Sequence, residues 1–222
     1  MRERYSMQKI PAWVVEQNTI ELQRAATADQ TEAQAYLAGR GVAAATIAAY
    51  RLTGDGRGKL FIPYYTQNGE GPLLLRTRCI IDHDHGDHGH GKYHTPAGAP
   101  MRLYVPYNHT AGQSALDTSL PELHLTEGEA DAWILNQLGF PAVGIPGVSH
   151  WHGRHAKLLH GFQRVFLWAD QDEAGRAMAD RITAMAPSTV QIVKLPDGMD
   201  VTDTLAAHGA DGLIDRFQEV SK

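Results

Sequence analysis

From Leu123 onward the chain alternates short apolar runs with helical patterns, and two of those runs end in carboxylates and pass at once into a helix. Leu123-His-Leu-Thr-Glu-Gly-Glu-Ala-Asp131 is one instance, and Phe166-Leu-Trp-Ala-Asp-Gln-Asp-Glu-Ala-Gly175 is another. Strands are predicted at 123–126, 141–145, 164–169 and 189–195, and helices at 129–138, 154–160, 173–186 and from about residue 202. Such alternation argues for βαβ units and a parallel sheet. In an open parallel sheet the carboxyl ends of the strands share one edge, where such folds build their sites. Glu127, Asp170 and Asp172 stand at strand tips on that edge. Carboxylates converging there cannot all stay ionised without a counter-charge, for which a divalent metal is the usual choice. Mg²⁺ takes a few carboxylates, keeps several waters and bridges phosphates, so the pattern suggests phosphoryl or nucleotidyl transfer.

The upstream part reads differently. Helical spacing is predicted from Trp13 to Ala26, from Thr31 to Gly41 and from Ala43 to Tyr50. Two strands follow, Leu60 to Tyr65 and Leu73 to Ile81, joined across a turn at Asn68-Gly69. Met101 to Tyr107 is a further predicted strand, at a sheet edge because of Pro106. A Ser/Thr/Gly-containing link near 110–121 divides a lobe over 1–115 from a second over 116–222.

Charge follows this division: residues 1–110 carry 12 Lys/Arg against 10 Asp/Glu, and residues 111–222 carry 8 against 15. A mildly basic half suits a phosphate backbone and an acidic half suits metal, although a solvated surface explains acidity equally well. The single cysteine, Cys79, excludes a disulfide framework and a cysteine-based zinc ribbon. No apolar run approaches a membrane span, and Met1 to Lys9 lacks the apolar core of a signal peptide, so the cytoplasm is expected.

Thr126-Glu-Gly-Glu, Ala169-Asp-Gln-Asp-Glu-Ala-Gly175 and Lys194-Leu-Pro-Asp-Gly-Met-Asp200 resemble the Toprim motifs of DnaG-type and phage primases. Tyr36 to Tyr50 resembles the helical opening of the primase catalytic core. Lys59-Leu-Phe-Ile-Pro63, Leu75-Arg-Thr-Arg78, Gly91-Lys-Tyr-His94 and Leu103-Tyr-Val-Pro106 resemble its mixed-sheet subdomain. The resemblance covers roughly residues 31–208 and implies an α/β (α+β overall) chain. A helical and mixed-sheet N-terminal lobe would precede a Toprim domain with a central parallel sheet flanked by helices.

By that resemblance Glu127 is the family's motif glutamate, acting as metal ligand or base, and Asp170 and Asp172 are the main ligands of Mg²⁺ or Mn²⁺. Asp131, one helical turn after Glu127, extends the cluster. Asp200 and Asp203 match the third acidic motif with a changed spacing. Capping or solvating helix starts is the alternative for Asp131, Asp200 and Asp203. Glu129 and Glu173 read as first-turn charges favoured by the helix dipole. Gly128 reads as a tight turn, and Gly144 and Gly147 as close approach to a phosphate or plain turns.

Arg76, Arg78 and Lys92 are the candidates for template or nucleoside triphosphate contacts, the two arginines sharing a strand face. A solvated sheet face accounts for them nearly as well. Tyr93 or Tyr65 is positioned to stack on a base or to fill a half-buried strand.

The implied activity is synthesis of short RNA primers on single-stranded DNA by metal-dependent transfer from NTPs, in a phage or mobile-element replication system within a bacterial host cell. The implied partners are the template, a replicative helicase and a separate zinc-binding module. A Toprim nuclease, or a non-catalytic nucleic-acid-binding or helicase-recruiting subunit, is the alternative.

Two histidine groups stand apart. Asp82-His-Asp-His-Gly-Asp-His-Gly-His-Gly91 offers ligands for zinc, yet its glycines and lack of apolar residues read as a flexible insertion with adventitious metal binding. Ser149-His-Trp-His-Gly-Arg-His155 reads as a surface loop or a substrate contact.

Overall fold

The computed structural model describes residues 10–117, 119–185 and 190–221. The Met1 to Lys9 segment, and the predicted element ends at 186 and 189, lie outside the described residues.

Three helices open the chain, α1 (Ala12–Ala26), α2 (Thr31–Gly39) and α3 (Ala44–Ala49), close to the predicted spans. An antiparallel sheet follows in the order β1 (Thr53–Gly54), β2 (Lys59–Tyr64), β3 (Leu74–Cys79), β4 (Tyr93–His94). Its central strand β2 is buried on both faces, and strand alternation sorts its side chains. Phe61 packs with Leu22, Ala25 and Leu75 beneath α1, while Leu60, Ile62 and Tyr64 enter the main core.

The predicted strand over 101–107 does not form. Tyr104 alone makes an antiparallel bridge to Gly144, with N–O distances of 2.8 and 2.9 Å. Past Pro106, which has no N–H to continue such a ladder, the short strands β5 (Tyr107–Asn108) and β6 (Gln113–Ser114) pair with each other instead.

The second sheet is wholly parallel. Its order is β10 (Val190–Lys194), β9 (Arg164–Ala169), β7 (Glu122–Thr126), β8 (Ala142–Gly144). Its helical crossovers are α4 (Glu129–Gln137), α5 (Gly153–Ala156) with a 3₁₀ turn at Lys157–Gly161, and α6 (Glu173–Met185). The C-terminal α7 (Val201–Val220) breaks at Gly209, whose φ of 68° lies outside helical space. Leu123, Leu125, Val165 and Leu167 face one core with Met178 and Ile182; Phe166 and Trp168 face the other with Trp133, Ile134 and Leu213. Helices therefore cover both faces, as a parallel sheet requires. His124 is inside as well: it accepts a 2.9 Å hydrogen bond from Trp168 Nε1, and burial together with Arg164 pulls its pKa down to about 3.

One hydrophobic cluster contains Leu60, Ile62 and Tyr64 of the first sheet and Trp133, Phe166 and Val193 of the second, so the two sheets share a core. Among the described residues no helix is long and apolar enough to cross a membrane.

Candidate active site

The strand order reverses its direction of growth between β7 and β9, the crevice where open α/β sheets bind ligands. Glu127 follows β7 and Asp170 follows β9, so the adjacent strands deliver two carboxylates to one point. Burial pushes the Glu127 carboxyl up to about 7, with Asp172 and Asp131 adding to it. Burial pushes Asp170 to about 7 as well, reinforced by Glu127, Asp200, Asp172 and Asp203. Glu127 Oε2 and Asp170 Oδ1 are buried with no hydrogen-bond partner among the described residues.

Electrostatic interactions link all six predicted acidic residues into one network, in which they take different states. Asp172 is exposed and its Oδ1 accepts from Gly175 N at 2.7 Å, capping α6. Asp200 caps α7 by accepting from Asp203 N at 2.6 Å, and Asp203 is exposed. Asp131 is buried; its Oδ1 accepts from Thr202 N at 3.1 Å and Thr202 Oγ1 at 2.9 Å. Burial raises Asp131 to about 7, followed by Asp200 and Asp170, while the Thr202 bonds oppose the shift. An oxygen-only set with two unpartnered buried acceptors fits a hard divalent cation such as Mg²⁺.

Close backbone packing holds the edge together. A Cβ on Gly175 would fall 2.1 Å from the Asp170 carbonyl oxygen, and one on Gly144 would fall 2.5 Å from the Gly128 carbonyl oxygen. Gly128 itself is extended at φ −166° with open space around it, so the predicted tight turn there is corrected. The constraint sits on Gly144, which approaches protein backbone at the Glu127 loop. Gly147 takes a positive φ of 94°, a turn conformation.

Of the basic candidates, Arg76 turns inward. Its Nη1 donates to Glu129 Oε1 at 2.5 Å, and its guanidinium lies 4.3 Å from the Tyr93 ring centroid. Tyr64 Oη donates to the same carboxylate oxygen at 2.5 Å. Glu129, only 1% exposed, is therefore more than the first-turn charge its position predicted: it joins α4 to the antiparallel sheet. Nothing in the local pattern points to its partner, 53 residues away.

Arg78 is also largely buried, donating to Tyr93 Oη and lying between the Tyr36 and Tyr93 rings at 5.4 and 4.9 Å. Lys92 is exposed. Its pKa is lowered first by Arg78, then by burial and Arg40, with only Asp200 opposing. Arg40, within the Tyr36 to Tyr50 segment but assigned no role from sequence, thus joins Arg78 and Lys92 in a cation group beside the acidic edge. Glu173 is exposed in the first turn of α6, as its position predicted. Tyr65 is buried against His109 at a ring distance of 4.4 Å, away from any stacking role.

The second histidine group folds on itself. His155 Nδ1 lies 3.3 Å from His152 N and its Nε2 lies 3.2 Å from Arg154 Nε, of which a neutral imidazole accepts only one, and Trp151 is fully buried. Burial, then Arg154, lowers His155 to about 4.

A carboxylate edge at the switch point of a parallel sheet, packed on an antiparallel sheet and a helical opening, gives the chain the fold of DnaG-type primase catalytic cores with a Toprim-like C-terminal region. A model of the Toprim-like family matches residues 124–205. The Gene 57 protein of Mycobacterium phage D29 is 32% identical over 161 residues, covering 72% of this chain and 99% of that protein. The chain belongs to the family of that phage protein. The RNA polymerase domain of Mycobacterium tuberculosis primase DnaG superposes with a TM-score of 0.73 at 18% identity, over 94% of this chain and 83% of that one. The same domain solved with a double-stranded DNA oligomer bearing a 6-nucleotide overhang gives 0.69, at 18% identity over 95% and 81%. The primase fragment of the bacteriophage T7 primase-helicase gives 0.63, at 20% identity over 81% and 72%.

Proposed function

We propose that this chain is a DNA primase catalytic core that synthesises short RNA primers on single-stranded DNA by metal-dependent nucleotidyl transfer from NTPs. The observation that carries this reading is the pairing at one edge of unpartnered, charge-crowded carboxyls with a group of mutually repelling cations. Glu127 and Asp170 supply the acidic side; Arg40, Arg78 and Lys92 supply the basic side. Each half is electrostatically unsatisfied alone, and a nucleoside triphosphate with its cation satisfies both.

Glu127, Asp170 and Asp172 would hold Mg²⁺ or Mn²⁺, with Asp200 and Asp203 at the outer edge and Asp131 acting through its bond to Thr202. Bound there, the metal supplies neutralisation of the triphosphate and acidification of the attacking hydroxyl. Lys92 and Arg78 hold phosphate oxygens, and Tyr93 fixes the Arg78 fork. Arg76 positions Glu129 and the start of α4 and makes no phosphate contact of its own. The primer 3′-oxygen forms its bond to the α-phosphorus as the bond to pyrophosphate breaks. The 3′-hydroxyl proton leaves toward the carboxylate edge, where Glu127 Oε2 is an acceptor without a partner among the described residues. The departing pyrophosphate is balanced by the cation group.

In this reading residues 1–115 guide template and supply the cation group, and residues 116–222 supply the carboxylate edge. The M. tuberculosis domain solved with DNA supports a template partner, and the T7 primase-helicase supports association with a replicative helicase. A separate zinc-binding module would choose the initiation site.

The test is incubation of the purified chain with single-stranded DNA, labelled NTPs and Mg²⁺ or Mn²⁺. Short RNA products, lost in Asp170→Asn, are expected. Cleaved template would make the chain a nuclease, and binding without products would make it a recruiting subunit.

A further inference from the structure

We propose that Cys79, His83, His85 and His90 form a structural zinc site that closes the connection between β3 and β4. One ligand atom from each of the four lies within 4.8 Å of the others. Cys79 Sγ is 3.7 Å from His83 Nε2. With Zn–S near about 2.3 Å and Zn–N about 2.0–2.1 Å, a tetrahedron has S–N edges of about 3.6 Å and N–N edges of about 3.3 Å. The Cys79–His83 edge is already close to its metal-bound length, and closing the others from at most 4.8 Å needs movements of no more than about 1.5 Å.

Apolar packing does not explain the cluster: from Asp82 to Gly91 the loop contains only Asp, His and Gly. Still, the His83 ring centroid lies 4.7 Å from His85 and 5.0 Å from His90. The partners outside the cluster also fit ligation. His90 Nδ1 is 3.1 Å from the Gly91 carbonyl, which fixes the proton on Nδ1 and leaves the Nε2 lone pair for a metal. His85 Nδ1 is buried with no hydrogen-bond partner among the described residues. One thiolate with three imidazoles is a closed, borderline-soft set that selects zinc over the hard cation of the carboxylate edge. His88 stacks on His83 at 4.4 Å and is exposed, a packing neighbour outside the four.

The anchor is rigid. Cys79 ends β3, and its N–H bonds the Lys92 carbonyl at 2.9 Å. Zinc would therefore tie the loop to the residue pair at its neck and hold Lys92 and Tyr93 beside Arg78. The site depends on neither priming nor the carboxylate edge.

The experiment uses the reduced full chain carrying Asp170→Asn and Asp172→Asn, which removes competition from the acidic edge, with Zn²⁺ and Co²⁺ as probes. One equivalent of zinc should survive desalting. Co²⁺ should give four-coordinate visible bands and a thiolate-to-cobalt charge-transfer band. Cys79→Ser should abolish the charge-transfer band, and it should weaken zinc by about tenfold or more. His85→Ala with His90→Ala, on an exposed loop whose loss leaves the sheets intact, should do the same by zinc titration, and His88→Ala should not. Equal zinc affinity in Cys79→Ser and its parent, or a six-coordinate cobalt spectrum without a sulfur band, overturns the site. Failure to retain zinc in the parent overturns it too.

Discussion

At the residue scale, Glu127 and Asp170 carry carboxyls that their surroundings hold near 7 when no cation is present. Their folded-state pKa values are raised above the ordinary 4.5 and 3.8, so the folded state binds more protons between those values and about 7. The stability they contribute is complete below about pH 4 and is lost as pH rises to about 7. Thermal melts in chelator should fall across that window, and Mg²⁺ should restore the upper end. Glu127→Gln, Asp170→Asn and Asp172→Asn should each abolish primer synthesis with folding intact by circular dichroism. Asp170→Asn should also stabilise the metal-free protein at pH 8 by on the order of 1 kcal/mol, a figure discounted for solvent screening. A melt of Asp170→Asn that keeps the wild-type pH dependence would remove Asp170 as its source.

At the element scale, helix starts set the carboxylate edge. Asp172 caps α6, and its proposed role as a metal ligand is separable from that cap by substitution, since asparagine caps about as well as aspartate but carries no charge. Asp172→Asn should keep the wild-type melting temperature and lose activity. Asp172→Ala should lose both, with about 1 kcal/mol of stability gone, as measured by urea unfolding. Gly175→Ala puts a methyl group 2.1 Å from the Asp170 carbonyl oxygen, so α6 or the Asp170 loop must shift. A cost of about 1–3 kcal/mol and a severe loss of product are expected, measured by unfolding and primer assay on the same preparation.

Most elements were legible in the sequence because period and punctuation are local signals. The β7 to α7 alternation falls within a residue or two of the predicted spans, the short α5 apart. Met101 to Tyr107 misled because its alternation is strand-like, although only Tyr104 meets a partner. Glu127 and Asp170 announced themselves by standing at strand tips. Glu129 did not, because a first-turn glutamate looks the same whether solvent or Arg76 lies opposite. The caps formed by Asp172 and Asp200 are local, whereas the Asp131–Thr202 bond spans 71 residues and leaves no trace in spacing.

At the scale of the whole molecule, Lys92, beside the antiparallel sheet, lies within electrostatic reach of Asp200 at the carboxylate edge. Lys92→Ala should weaken template or NTP binding and flatten its logarithmic salt dependence, for single-stranded DNA by about 0.7 for each phosphate the side chain no longer neutralises. Fluorescence anisotropy across a salt series measures that slope, and an unchanged slope would remove Lys92 from the interface. Arg76 of the antiparallel sheet is joined to Glu129 of α4, and their side chains are 13% and 2% exposed. Removing either partner strands a buried charge at a cost of about 3–5 kcal/mol, while replacing both with apolar residues of matching volume is close to neutral. Inheritance bears the mark of that asymmetry. A single substitution that removes either charge strands the other, so a lineage that loses the pair must cross a valley of poorly folded intermediates or change both positions together. Positions 76 and 129 should therefore vary as a unit among descendants of this gene, however far their surface residues diverge.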